Sequence, residues 1–258
     1  MPTVTSRDGT SIGFDRVGSG PALILVDAAG GFRGFGPMVP LAELLAPDFT
    51  VITYDRRGRG ESGDTLPYAV DREVEDIQAL INVAGGSAFA HGFSSGAVLA
   101  LLAASRGLAI PKLTLLEPPL SLEGPSPDEP DLGAEVTELI SAGRRGDAVE
   151  HFNRSIGVPE EMLAGMRDAP WWPAMEALAH TLAYDSVITG TFPVDRLRTI
   201  PTPTLVINSE ATDERLLSWG VGAAEALPNG SHRTLEGEWH GVAPEVLAPS
   251  MVEFFIGR

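Results

Sequence analysis

The amino-acid sequence predicts an α/β protein with a mostly parallel central sheet, helices on both faces of that sheet and a helical insertion. The first half of the chain alternates short apolar, β-rich runs with helical stretches, which is typical of a parallel sheet covered by helices. The same alternation returns after Pro201 and Pro203. The predicted strands are Ser11 to Val17, Ala22 to Val26, Thr50 to Tyr54, Ser87 to His91, Leu113 to Leu116, Thr204 to Asn208 and His232 to Leu235.

Helices are predicted between these strands, because apolar residues recur there at intervals of three and four positions. Val74, Ile77, Leu80 and Ile81 show this period. The predicted helices of the α/β part are Val39 to Leu45, Asp71 to Val83, Ala97 to Ser105, Glu214 to Leu227 and Pro244 to Phe255.

The chain changes character after the fifth strand, where prolines break up a loop and roughly sixty residues with helical patterns and no convincing strand follow. This segment predicts a helical cap at residues 120–200, inserted into an α/β core domain of residues 1–119 and 201–258. The prolines of the loop are Pro118, Pro119, Pro125, Pro127 and Pro130.

The composition is that of a packed globule, since 43% of the residues are hydrophobic. No run of about 18 apolar residues occurs and the first residues lack the pattern of a secretory signal, so we expect a cytoplasmic protein with no membrane association. The absence of cysteine excludes disulfides, thiolate metal sites and cysteine nucleophiles. A net charge of -17 argues against nucleic acid as a partner.

The run Gly92-Phe93-Ser94-Ser95-Gly96 matches the pattern G-x-S-x-G and lies between a predicted strand and a predicted helix, the context that this motif requires. Glycines two residues before and after the serine let the chain turn tightly, so that the hydroxyl projects beyond the end of the sheet. A Gly-Ser turn without chemistry is the alternative. We predict that Ser94 is a nucleophile.

A serine hydroxyl is a weak nucleophile and needs a positioned base, normally histidine. His240 follows the last predicted strand and precedes the last helix, where the chain order serine, acid, histidine places the base. The other histidines fit less well. His91 is expected to end the elbow strand and to bond locally, His151 and His180 lie in the insertion, and His232 begins a strand.

These residues resemble the α/β-hydrolase superfamily along nearly the whole chain. Beyond the elbow, the resemblance rests on the run Asp8-Gly9-Thr10-Ser11-Ile12, the loop Tyr54 to Ser62 and the strand Pro203 to Ile207. It implies the α/β-hydrolase fold with a helical cap.

The resemblance also implies an oxyanion hole built from the backbone N–H groups of Ala29 and Ser95. Ser95 follows the nucleophile, and Ala29 lies in the loop after the second predicted strand. Family members often carry His-Gly-x in that loop, whereas this chain has Asp27-Ala28-Ala29-Gly30-Gly31.

The acid of the triad departs from the usual family pattern. The usual aspartate position, in a turn after the penultimate strand, is occupied here by Thr212, with Asp213 one residue later. Glu117 instead ends the fifth predicted strand, which is the acid position of some superfamily members. A Ser-Ser-Gly elbow and a Glu-Pro strand end also occur in zearalenone-type lactone hydrolases. We therefore favour Glu117 and keep Asp213 and Glu210 as alternatives.

The run Gly58 to Gly63 spells G-x-G-x-x-G, a pattern of dinucleotide sites. In a dinucleotide site this pattern leads from a strand directly into a helix. Here the residues that follow, Asp64 to Pro67, cannot begin a helix, so no nucleotide cofactor is expected. Arg59 of this run, and Arg56 and Arg57 just before it, are expected to pair with nearby acids.

Large apolar residues of the insertion fit either packing between the cap helices or the wall of an apolar substrate pocket. By position Trp172 resembles a cap tryptophan of the lactone hydrolases, which implies a substrate-binding role. His151 and His180 lack partners at ligand spacing, so no metal is expected.

Taken together, the sequence predicts a cofactor-free serine hydrolase that cleaves a small apolar ester or lactone through an acyl-enzyme, with Ser94, His240 and Glu117 as its triad. A perhydrolase, haloperoxidase or acyltransferase would use the same triad with another acceptor. A hydrolase-like binding protein with an impaired triad is a rival of a different class. The sequence leaves open whether the chain forms a homodimer.

Overall fold

The computed structural model describes residues 2–123 and 130–258, so Pro125 and Pro127 of the predicted loop lie outside the described residues. Its strands are β1 (Thr3–Thr5), β2 (Ser11–Gly18), β3 (Ala22–Val26), β4 (Thr50–Tyr54), β5 (Phe89–Phe93), β6 (Leu113–Leu116), β7 (Thr204–Ser209) and β8 (Gly230–Leu235). Its α-helices are α1 (Met38–Leu45), α2 (Val70–Val83), α3 (Ser95–Ser105), α4 (Leu132–Ser141), α5 (Arg145–Ser155), α6 (Glu160–Leu163), α7 (Trp172–Leu178), α8 (Thr181–Thr191), α9 (Glu214–Ala226) and α10 (Pro244–Ile256).

The strands form one 8-stranded sheet in the order β1-β2-β4-β3-β5-β6-β7-β8. β2 runs antiparallel to both of its neighbours, and every pairing from β4 to β8 is parallel. The predicted fold class, an α/β-hydrolase fold with a mostly parallel sheet, is confirmed. Because β3, β5, β6 and β7 are parallel neighbours, their carboxyl ends meet at one edge of the sheet.

Helices cover both faces of the sheet, as the alternation along β3 illustrates. Leu23 and Leu25 pack into the cluster formed with α1 and α10, whereas Ile24 and Val26 pack into the cluster formed with α2 and α3. A strand buried on both faces is apolar at every position, which explains its continuous apolar sequence.

The described part of the segment between β6 and β7 contains the helices α4 to α8 and no strand. These inserted helices have an apolar cluster of their own, which also packs against Ala29, Phe32 and Phe35 of the loop that follows β3. The inserted helices therefore lie next to the carboxyl edge of the sheet. The division into a core and a cap at residues 120–200 stays a prediction.

No helix of the described residues is long and apolar enough to span a bilayer.

Several predicted strand bounds need correction. β5 begins at Phe89 and not at Ser87. β8 begins at Gly230, because its pairing with β7 starts there, so His232 lies inside the strand and does not begin it. β5 ends at Phe93 and not at His91, because its pairing continues through Gly92 beside Val26 and through Phe93 beside Leu116. His91 thus lies in the middle of the strand, buried, with Nδ1 2.9 Å from the hydroxyl of Thr114. The short edge strand β1 was not predicted, since three residues carry too little pattern to be recognised.

The turn from β5 into α3 depends on a close approach between backbones at Gly96. A Cβ atom at this position would overlap with the carbonyl oxygens of Val26 and Asp27, and nothing flexible stands there to move aside. Gly190, in α8, is a matched helical glycine with no atom within 4 Å of its added Cβ.

We predict that Gly96→Ala lowers the free energy of unfolding by about 1–3 kcal/mol, because the added methyl group forces the helix away from β3. Gly190→Ala should leave stability unchanged or raise it by up to about 1 kcal/mol, since alanine favours a helix over glycine. Urea unfolding followed by circular dichroism measures both. Equal stability of the two variants would contradict the close packing at Gly96.

Candidate active site

Ser94 occupies the turn between β5 and α3 with a strained backbone, φ 54° and ψ -123°. Its N–H donates to the carbonyl of Leu116 at 2.9 Å, which fixes the turn to the end of the neighbouring strand β6. Gly92 is required as well, because a Cβ there would overlap with the backbone of Gly96 and Ala97. The geometry agrees with the strand-turn-helix context that the G-x-S-x-G motif predicts.

His240 and Glu117 complete a chain of polar contacts that starts at the serine. His240 Nε2 lies 2.9 Å from Ser94 Oγ, and His240 Nδ1 lies 3.4 Å from Glu117 Oε2. A carboxylate only accepts, so Nδ1 carries the ring proton and Nε2 accepts from the serine hydroxyl. The structure brings the three predicted triad residues together in this order.

The carboxylate of Glu117 is fully buried at the end of β6, yet both of its oxygens have donors. Oε1 accepts the Ser209 N–H at 2.7 Å, and Oε2 accepts the Thr212 hydroxyl at 2.6 Å. Burial raises the pKa of Glu117, but the hydrogen bonds from His240, Thr212 and Ser209 lower it below its usual range. The group is therefore ionised at neutral pH and suited to balance a histidine cation.

The alternative acids have other positions. Asp213 is the N-cap of α9 and accepts the Leu216 N–H at 2.8 Å. Glu210 is exposed. Thr212, at the usual family position of the acid, instead donates to Glu117. The residue in the usual acid position thus supports the carboxylate in the alternative one.

Of the two predicted oxyanion residues, Ser95 directly follows the serine at the start of α3, and Ala29 lies in the loop after β3. Among the described residues, the N–H groups of Ala29 and Ser95 donate to no protein acceptor. Ala29 belongs to a loop whose first residue, Asp27, turns its buried carboxylate inward and accepts the Ala28 N–H at 2.8 Å. Burial raises the pKa of Asp27 to about 7, against the lowering effects of that N–H and of the Arg59 and Arg56 guanidinium groups.

The arginines of the G-x-G-x-x-G loop pair with buried acids, as expected. Arg57 pairs with Asp76 at 2.7 Å, while Arg56 and Arg59 pair with Asp185 at 2.8 and 2.6 Å. The loop does not lead directly into a helix, since α2 begins only at Val70. Asp185 was not singled out from the sequence, because a lone aspartate in a helical stretch carries no pattern.

Trp172 is buried in the cluster of the inserted helices, with the Arg167 guanidinium 5.5 Å from its ring centroid. Its predicted contact with substrate stays a prediction. Met175 from the same helix comes closer to the oxyanion loop, since its methyl group occupies the space where a side chain at Gly30 would lie. From the sequence, Met175 is one of the large apolar residues of the insertion that fit either packing or a pocket wall, and no pattern sets it apart from the others.

A cavity of about 570 Å³ opens beside the loop that carries His240. Apolar side chains of α1, α10 and the strand ends form much of its lining, among them Met38, Val246 and Phe93. The Phe93 ring lies 5.3 Å from the His240 imidazole, so the cavity adjoins the catalytic candidates from the side of the sheet that α1 and α10 cover.

Comparison with known proteins shows which family has this fold. The model of the alpha/beta hydrolase family matches residues 23–248. The crystal structure of an alpha/beta hydrolase from Sphaerobacter thermophilus DSM 20745 is 48% identical, covers 98% of this chain and 100% of that chain, and superposes with a TM-score of 0.91.

More distant structures share the fold. A thermophilic esterase from Thermogutta terrifontis is 22% identical over 97% of this chain and 94% of that chain, with a TM-score of 0.74. The enol-lactonase from Burkholderia xenovorans LB400 is 19% identical over 98% of this chain and 99% of that chain, with a TM-score of 0.73.

A curated relative, the uncharacterized hydrolase YraK of Bacillus subtilis (strain 168), is 35% identical over 97 residues, which span 36% of this chain and 35% of that protein. The similarity thus spans about a third of the curated relative's length. The family model and the structure from Sphaerobacter thermophilus, in contrast, cover most of the chain. The chain belongs to the alpha/beta hydrolase family.

Proposed function

We propose that the protein is a serine hydrolase that cleaves a carboxylic ester or lactone through an acyl-enzyme. The observation that carries the proposal is the continuous contact from Ser94 Oγ through the His240 ring to the buried Glu117 carboxylate. This arrangement supplies a nucleophile, a base and a group that orients the base, which are the parts that acyl transfer to serine needs.

In the proposed reaction, Ser94 Oγ attacks the carbonyl carbon while His240 Nε2 takes the hydroxyl proton, and the carbonyl electron pair moves onto oxygen. The intermediate collapses when the alcohol leaves with the proton that His240 returns. Water then attacks the acyl-enzyme, gives a proton to His240 and releases the carboxylic acid as Ser94 is reprotonated. Glu117 holds the imidazole in the required tautomer and balances its charge in both halves.

The negative charge that develops on the carbonyl oxygen needs donors already in place. The Ala29 and Ser95 N–H groups, on the loop after β3 and at the start of α3, are the proposed donors. The amino end of α3 adds a favourable field, since a helix N-terminus stabilises negative charge. Loss of a single such donor lowers turnover by roughly a hundred- to a thousandfold in a protease of this chemistry.

An ester or lactone with an apolar part fits the surroundings best. Met175 lies over the oxyanion loop, and the adjoining cavity has a mainly apolar lining. Of the two more distant proteins that share the fold, one is an esterase and the other an enol-lactonase, so both substrate types occur on this fold. The zearalenone-type lactone hydrolases, which share the Ser-Ser-Gly elbow and the Glu-Pro strand end, make a lactone the first substrate to test.

We predict that the wild-type protein hydrolyses members of a panel of p-nitrophenyl esters and simple lactones, and that Ser94→Ala abolishes this turnover while the fold is retained. The physical reason is that alanine offers no nucleophile. Residual rates in the variant should reflect binding and the oxyanion donors alone. A folded wild-type protein that turns over none of the panel would contradict the proposal and favour a binding protein. Turnover only with added hydrogen peroxide would favour a perhydrolase.

The identity of the acid is tested by a pair of isosteric variants. We predict that Glu117→Gln lowers turnover at least about a thousandfold, because the comparable change in a serine protease costs on the order of 10⁴. Asp213→Asn should change turnover by less than about tenfold, since Asp213 caps a helix and an asparagine caps equally well. Steady-state kinetics on the best ester of the panel measures both. The reverse ranking would place the acid at Asp213.

A further inference from the structure

One carboxylate of the inserted helices reaches into the core beside the catalytic candidates. Asp185 lies in the first half of α8 and is only 1% exposed. Its Oδ1 accepts from Ser95 Oγ at 2.7 Å and from Arg56 Nη1 at 2.8 Å, and its Oδ2 accepts from Arg59 Nη2 at 2.6 Å. These three partners lie outside the inserted helices, in the loop after β4 and at the start of α3.

These partners lead to both proposed oxyanion donors. Ser95 carries one donor on its own backbone. Arg59 reaches the other through Nη1, which donates to the carbonyl of Ala28 at 2.6 Å and to that of Gly31 at 3.1 Å. These two carbonyls bracket Ala29 and Gly30, so the guanidinium fixes the short turn in which the Ala29 N–H lies.

Arg56 also contacts both the loop after β3 and the start of α3. Its Nη1 contacts the carbonyl of Asp27 and the hydroxyl of Ser95, each at 3.3 Å, and its other nitrogens bind Glu73 at 2.8 and 3.0 Å. The two guanidinium groups are therefore matched by the carboxylates of Glu73 and Asp185. Burial raises the pKa of Asp185, but the charges of Arg59 and Arg56 lower it by more than burial raises it. The pKa is therefore below its usual value and the carboxylate stays charged.

We infer that Asp185 is a positioning residue that couples the inserted helices to the oxyanion hole, holding the Ser95 and Ala29 N–H groups in the spacing that the oxyanion needs. The inference rests on the proposed function. Donor geometry matters in acyl transfer because a displacement of about 1 Å can reduce turnover on the order of a hundredfold. Substrate binding depends far less on these donors, because they bind the oxyanion of the transition state more tightly than the carbonyl of the ground state.

Asp185→Asn tests the inference, since the amide keeps the shape and removes the charge that orders both arginines. We expect kcat for the best ester to fall about ten- to a hundredfold while KM changes less than about threefold. The rate at which a fluorophosphonate labels Ser94 should fall in parallel, because the phosphonyl oxygen uses the same donors.

Asp76→Asn is the matched control. Asp76 is equally buried and binds Arg57 through two hydrogen bonds of 2.9 and 2.7 Å. Within the described part of the chain, neither Asp76 nor Arg57 forms a hydrogen bond to the oxyanion loop or to Ser95. It should lose stability as Asp185→Asn does and keep kcat within about threefold of the wild type. Equal losses of kcat in the two variants would overturn the inference, as would an Asp185→Asn protein with wild-type kcat.

Arg59→Lys provides a second route if Asp185→Asn does not fold. Lysine keeps the positive charge beside Asp185 but cannot reach the Ala28 and Gly31 carbonyls with a planar fork. The same selective loss of kcat is expected, and an unchanged kcat would contradict the inference. Because wild-type turnover is measured in the same assays, an inactive wild type counts against the proposed function, whereas an active wild type with fully active variants counts against the role of Asp185 alone.

Discussion

A left-handed backbone at a residue that carries a side chain costs on the order of 1–3 kcal/mol and persists only where its surroundings enforce it. Among the described residues, the non-glycine positions with positive φ are Ser94, Glu117 and His240, at 54°, 50° and 53°. Each follows a strand at the carboxyl edge of the sheet. The strain turns the three side chains toward one another, and the contacts between them depend on these conformations.

The surroundings that enforce this strain are neighbouring strand ends and loops. The Ser94 N–H is held by Leu116, the Glu117 N–H by Ile207 at 2.9 Å, and the loop before His240 by a hydrogen bond of 2.6 Å from Ser209 Oγ to Glu238. The parallel register of β5, β6 and β7 thus determines the site, because a slip of one residue would misplace every one of these donors. The strand pairing that forms the sheet therefore also positions the residues of the site.

Much of the fold could be predicted from the sequence, because parallel strands buried on both faces and amphipathic helices have strong local patterns. The sequence predicts the end of β5 two residues too early, because Gly92 resembles a turn residue. Only the hydrogen-bonded pairing with β3 and β6 shows that the strand continues. The serine and the histidine of the proposed site could be predicted to lie together, because the motif is local and the chain order is fixed.

Other parts of the site depend on distant contacts that no local pattern records. Thr212 supports Glu117 across 95 positions of the chain, and Asp185 reaches Ser95 across 90. The preference for Glu117 over Asp213 as the acid therefore rests on the resemblance to lactone hydrolases. The proposed role of Asp185 could be inferred only from its contacts in the structure. Both cases concern a buried charge, for which partners are required but cannot be located from sequence spacing alone.

In the proposed mechanism, Ser94 becomes acylated during turnover. Acid quenching during hydrolysis of a slowly deacylated lactone, followed by intact-protein and peptide mass spectrometry, tests it most directly. We expect an adduct on Ser94 equal to the full mass of the lactone, because ring opening leaves the alcohol attached to the acyl group. Hydrolysis that proceeds with unmodified Ser94, or with an adduct on another residue, would contradict it.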